Sequence, residues 1–465
     1  MSDPRARPVA PPEAGSPAPA GKLGAEGAAV ASDLDRVLPE AQYRARLSAD
    51  VASLLRLERR LDAGVGGEMS RSFCVRVVAE AERVEYGLLD VGARGNRTYA
   101  FVSEVVTQLR WCAKALHALL HLRGRIRRYL GDRLDLDAFR GDLDACIAWV
   151  ADRVEALLVA VRTEAEGPLG LATPQDALDA SMLDGEDVRW RLPQDLDVPT
   201  SHDERDRIAE MCTAFLALAD EVERVHVPDD ADVEVLEGLA RGAFGPAHAQ
   251  EVRVRMHALQ STYDSVVAGT PREAGEPALK RFRGFVSILL HLHEAVAYLL
   301  AAHGRLASDV RSAALRDRVR TLVDEAMLLR WALRFGLANA ARCYREAREV
   351  TLALLERATR VREVALALPP GRKLHLRPAG LIVRVVQRHG LPVEMGMGDQ
   401  TVDARHLMDV ILLAAGNPTE TRVRFRGDER PLADLQVLFQ HRLGEEGTER
   451  FPPTLAYLRE PSKSS

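Results

Sequence analysis

From about residue 33 to residue 360, apolar side chains recur at spacings of three and four, the repeat that lays one stripe along an α-helix. The stretches Tyr43–Leu61, Ser72–Val91, Tyr99–Leu130 and Leu143–Thr163 carry it. Within the third, Val102, Val105, Val106, Leu109, Leu116, Leu119 and Leu120 form an unbroken series. In the fourth, Ile147, Val150, Val154, Leu157, Leu158 and Val161 continue until Gly167, Pro168 and Gly170 end the helix. The same period returns at Arg205–Val225, Ala249–Val267, Ala278–His303 and Ala313–Arg360, the last being one long helix or two. The pattern predicts a helical bundle over 33–167, a linker over 168–204 with Pro168, Pro174, Pro193, Pro199 and many aspartates, and a second bundle over 205–360. Segments 101–126 and 285–306 echo one another loosely, as a duplication or as two helices of similar composition.

After Arg360 the period becomes two: Val364, Leu366 and Leu368 alternate with Glu363, Ala365 and Ala367 before Pro369–Pro370–Gly371, which is a strand and its stop. A helix from Pro378, a strand at 392–397, a short strand near 400–404, a helix about Arg405–Leu413, a strand at 421–426 and a helix from Pro431 follow. The fold class is therefore multidomain, with mostly α-helical N-terminal bundles followed by an α+β domain of order β-α-β-β-α-β-α over 361–444. Residues 445–465 are a C-terminal tail, and residues 1–32, with six prolines in the first twenty positions, have too little apolar content to offset ordering entropy.

Composition narrows the function. Sixty-three basic and 68 acidic residues leave a net charge of −5, which offers no cationic field for nucleic acid. No apolar run approaches the roughly 20 residues that cross a bilayer, and the opening MSDPRARPVAPPEAG lacks the apolar centre of a secretion signal, so a cytoplasmic location without membrane insertion is expected. Cys74, Cys112, Cys146, Cys212 and Cys343 are widely spaced and form no CxxC pair, the pattern of buried reduced thiols.

The chemistry concentrates in LHLRPAGLIVRVV at 374–386. His375 stands three residues before Pro378, and proline suits the first helical position, where its missing N–H costs nothing. Ala379, Ile382, Val383 and Val386 give that helix a buried face. His375 then lies just upstream of a helix N-terminus, whose unpaired amides and positive dipole end hold an anion, with the guanidinium of Arg377 beside it. An unprotonated imidazole is a capable nucleophile near neutral pH, and phosphoryl transfer to it needs charge stabilisation that amides and an arginine provide without a cofactor or metal.

At these residues the chain resembles HPr, the histidine-containing phosphocarrier of the bacterial phosphoenolpyruvate-dependent phosphotransferase system. His375, Arg377 and Pro378 match the family's His-x-Arg-Pro centre, and the element order over 84 residues, under a fifth of the chain, is that of its open-faced β-sandwich. The resemblance implies that His375 receives a phosphoryl group through Nδ1 from the phosphohistidine of enzyme I and passes it to a histidine of a downstream acceptor, with Arg377 steadying the phosphate. It also implies that Leu407 and Met408, an apolar pair at the start of the second short helix, dock enzyme I. Such a protein is a stoichiometric carrier, not an enzyme. Three features depart from the family: Lys373 replaces the usual glycine two residues before the histidine, GRK lengthens the preceding loop by about two residues, and His406 stands where many members carry a regulatory serine.

The helical part is expected to regulate or oligomerise the carrier, including as a homo-oligomer; the rival reading is a helical scaffold or regulatory adaptor whose HPr-like domain docks without transferring phosphate. His117 and His121 are four apart, His291 and His293 flank Leu292 beside Glu294, and Glu223 precedes His226 by three, but none has a complete ligand set and packed or surface histidines explain them. The polar stretch 85–99 reads as a solvated interhelix turn, and the basic run 122–133 as the wet end of a helix.

Overall fold

The computed structural model describes residues 38–62, 69–130, 136–179, 204–308, 312–370 and 374–459. The tail 1–32, most of the expected linker and the Gly371–Arg372–Lys373 loop lie outside the described residues. The first part of the chain forms α1 (Glu40–Asp62), α2 (Arg71–Asp90), α3 (Ala100–Leu130) and α4 (Leu136–Glu166). It continues through α5 (Glu204–Glu223), α6 (Val233–Arg241), α7 (Pro246–Val266), α8 (Pro271–Gly275) and α9 (Pro277–Leu306). The stretch read as one long helix or two breaks at Thr321–Asp324: α10 (Ala313–Arg320) stops, and α11 (Glu325–Leu329) begins afresh with the Asp324 carboxylate accepting from the Met327 N–H at 3.1 Å. From there the helix runs through π turns over Arg330–Leu337 into α12 (Ala338–Ala358).

The sequence divides this region into two bundles, whereas the structure packs both stretches around one apolar core. The reason is that an amphipathic stripe specifies burial but not the partner that supplies it. The two echoed segments are the centre of that core: α3 and α9 pack along each other more extensively than any other pair, which gives their similar composition a packing cause. Leu169, Leu171 and Leu178, from the beginning of the expected linker, are buried on it as well. The helix α9 is long and apolar enough to cross a membrane by length and composition, and most of its apolar window is buried inside this core.

Two residues, Thr359 and Arg360, separate α12 from the C-terminal domain. There β1 (Val361–Ala367), α13 (Leu376–His389), β2 (Val393–Met397), β3 (Gln400–Asp403), α14 (Leu407–Gly416), β4 (Arg422–Asp428) and α15 (Glu429–Gln440) follow in the order read from the sequence. The strands form one antiparallel sheet in the order β1-β4-β2-β3. Register explains its two faces: Met395 pairs with Phe425, both buried under the helices, while Glu394 pairs with Arg426 on the outer face, where they meet at 3.2 Å. A second apolar core contains Ile382, Val386, Met395, Phe425 and Leu435, separate from the helical one. Residues 445–459, expected as a tail, instead continue this core, with Phe451, Leu455 and Leu458 buried against it.

The two bodies meet at the C-terminal end of α13. Leu391 is buried in the helical core, Gly390 lies beside Thr213 of α5, and Arg430 joins Asp206 of α5 at 3.0 Å. The guanidinium of Arg205 donates to the carbonyls of Arg357, Ala358 and Thr359 and so closes the end of α12 where the chain crosses over.

Candidate functional site

His375 is the residue at which α13 starts: its backbone is extended (φ −119°, ψ −177°), and its carbonyl accepts from the Ala379 N–H at 3.0 Å to close the first helical bond. Pro378, expected at the first helical position, is the third. The first turn tolerates it there because none of its N–H groups has an intrahelical acceptor. The amides of Leu376 and Arg377 therefore open the helix and have no acceptor among the described residues. Asparagine, serine or aspartate at this position would accept from the Arg377 amide, since Pro378 has none; His375 makes no such side-chain cap.

The His375 side chain is 57% exposed. Its Nε2 lies 3.1 Å from a carboxylate oxygen of Glu445, which is 18% exposed. A carboxylate can only accept, so this contact keeps a proton on Nε2 and puts the lone pair of a neutral ring on Nδ1. Glu445 lies in the segment the sequence assigns to a tail; it is carried to His375 by a tight reversal in which Arg442 (φ 51°), Leu443 (φ 54°) and Gly444 (φ 73°) are all left-handed. Leu443 is buried, and a side chain at Gly444 would strike Leu381 of α13, so the turn is pressed against the helix that His375 begins. No local sequence signal links residue 445 to residue 375.

Arg377 is exposed and makes no ion pair among the described residues. The expected docking pair is split: Leu407 is half-buried against the domain core, while Met408 is 63% exposed. Leu412, one turn on from Met408, and Leu376, beside His375, are similarly exposed on helices that pack against each other. The four-residue spacing of Met408 and Leu412 was a readable sign of that face. His406 is exposed at the start of α14.

The other histidines lie in the helical body. His121 stacks on His291 with 3.9 Å between ring centroids, and His291 Nδ1 is 2.8 Å from Glu294. Burial, reinforced by His291 and Arg71, lowers the His121 pKa to about 3. Glu223 pairs with Arg348 at 3.2 Å rather than with His226. Among the described residues no group of three His, Cys, Asp or Glu side chains is arranged to hold a metal ion. In the turn after α2, Arg94 bonds Glu85 at 3.3 Å and the Asn96 side chain accepts from the Thr98 N–H at 2.8 Å, so its polar groups hold the turn itself. All five cysteines are buried free thiols, and burial pushes Cys74, Cys112, Cys212 and Cys343 up to about 12.

The domain is thus a small α+β unit with an exposed histidine at the mouth of a helix, two amides without acceptors among the described residues and an arginine without an ion pair next in sequence but one. Residues 362–440 match the family model described as the PTS HPr component phosphorylation site, so the C-terminal segment is an HPr-type domain. The match covers 79 of the 465 residues. No curated protein matches the chain, and no solved structure does.

Proposed function

We propose that the chain is a cytoplasmic phosphocarrier in which His375 takes a phosphoryl group from the phosphohistidine of an enzyme I-type phosphotransferase, itself charged by phosphoenolpyruvate, and hands it to an acceptor protein. The contact between Nε2 and Glu445 carries this reading, because it leaves Nδ1 as the nucleophile. The Nδ1 lone pair forms a bond to phosphorus while the donor's phosphorus–nitrogen bond breaks and its electron pair returns to the donor ring. The proton stays on Nε2, where Glu445 balances the positive charge that the ring gains. The amides of Leu376 and Arg377 and the guanidinium of Arg377 meet the phosphoryl oxygens, and Pro378 fixes the helix start that aims those amides. Met408, with Leu412 and Leu376, supplies the apolar face for the donor, and Leu407 holds that face from beneath. The helical body is the regulatory or oligomerising part.

The test is to incubate the purified chain with enzyme I and phosphoenolpyruvate and seek an acid-labile phosphoryl adduct by intact mass. An adduct absent from His375→Ala supports the carrier. No adduct under conditions that charge an ordinary HPr leaves a docking adaptor.

A further inference from the structure

A cavity of about 580 Å³ opens on the helical body, far in sequence from His375, and the π turns form its wall. Its lining repeats every four residues in two rows: Met327, Trp331, Phe335 and Asn339 in one, Arg330, Arg334, Ala338 and Arg342 in the other. An unbroken α-helix would rotate Arg342 about 120° away from Arg330 over twelve residues. The wider π turns, with roughly 4.4 residues each, cancel most of that rotation and bring the three arginines onto one stripe. Gly336 lets these turns lie close against α9, because a Cβ there would come within 2.5 Å of Val296.

The charges around the cavity are unspent. Some buried or half-buried arginines of this body are matched to carboxylates, as Arg305 is to Glu104 at 2.8 Å and Arg348 to Asp220 at 2.8 Å. None of Arg330, Arg334 and Arg342 has an ion-pair partner among the described residues, and the one polar contact of Arg330 is to the sulfur of Met327. Asp142 and Asp229 line the same cavity without pairing to them. The indole N–H of Trp331 is buried with no acceptor, a donor that folding leaves unmet on a ring of the wall.

We propose that this cavity binds a small phosphate ester carrying hydroxyl groups. Guanidinium groups recognise phosphate through forked hydrogen bonds, carboxylates accept from hydroxyls, and Trp331 and Phe335 cover an apolar or planar face of the skeleton. The volume falls within the roughly 300–1,000 Å³ of small-molecule sites. The two acids argue against a bare polyanion, which they would repel. Two skeletons share this chemistry, a sugar and a nucleoside, and the experiment separates them.

Full-length protein is titrated by calorimetry with inorganic phosphate, glucose, glucose 6-phosphate and adenosine monophosphate, with tryptophan fluorescence followed in parallel. The site predicts saturable binding of at least one ester, tighter than inorganic phosphate, no binding of glucose, and a fluorescence change absent from Trp331→Phe. Because Arg334 is exposed, Arg334→Gln leaves the fold intact by circular dichroism and weakens ester binding about tenfold or more, and Arg342→Gln does the same. The tighter ester names the skeleton. Failure of both esters to saturate, affinity for inorganic phosphate equal to theirs, or binding unmoved by both arginine variants overturns the proposal. Loss of phosphoryl transfer in His375→Ala leaves ester binding unchanged, so the two readings fail separately.

Discussion

The helical body and the C-terminal domain treat histidine in opposite ways. His293 lies 1% exposed in the helical core with Nε2 against the Tyr344 hydroxyl at 3.1 Å, and burial lowers its pKa to about 3. His375 stands at a helix mouth, 57% exposed, with a carboxylate on one ring nitrogen and open amides beside it. The same side chain is a sealed packing element in one body and an accessible ring in the other. Chemistry is assigned by surroundings: a ring sealed in a core has no path to a partner protein, whatever its basicity.

The widest gap between the two should appear in labelling. His375→Ala is expected to abolish the acid-labile adduct completely, while His293→Phe retains it, as read by intact mass after charging with enzyme I and phosphoenolpyruvate. Next in size is the independence of the cores. Phe425→Ala removes a fully buried ring from the C-terminal core and should cost about 3–5 kcal/mol there by urea unfolding. Its effect on the helical body's own transition should be small, whereas Leu391→Ala, which reaches into the helical core, should lower both.

Acid distinguishes the bodies as well. A histidine held at a folded pKa of about 3 against roughly 6.5 when unfolded stabilises the native state fully above pH 6.5, and that contribution is lost as pH falls toward 3, because the unfolded chain binds the proton first. His293 alone should therefore impose a slope of about 1.4 kcal/mol per pH unit across that window. His293→Phe should reduce the slope by that amount in thermal melts between pH 4 and 7, leaving the share due to His121. The smallest effect concerns Glu445: replacing it with Gln should keep the fold and the adduct but slow charging about tenfold, by removing the charge that steadies the phosphorylated ring. The pH dependence of the charging rate should move with it, and an unchanged rate and profile would make Glu445 a bystander.

Much of the C-terminal domain was legible because its signals are local. The change of period after Arg360, the proline and glycine stops and the histidine before a proline-led helix lie within short windows. Glu445 was not legible, since seventy residues and a left-handed reversal separate it from His375. The shared helical core was hidden for a different reason: stripes on α3 and α9 show that each needs a partner, and only packing reveals that each is the other's. The π turns were invisible because their apolar spacing is also that of an α-helix, although Arg330, Arg334 and Arg342 were in plain view.

The clasp at Gly390–Leu391 and the two-residue passage through Thr359–Arg360 have a kinetic consequence. The C-terminal domain is moored rather than tethered. On the carrier reading proposed above, donor and acceptor would take turns at a single berth on the far tip of α13, and throughput would be governed by how quickly each visitor departs.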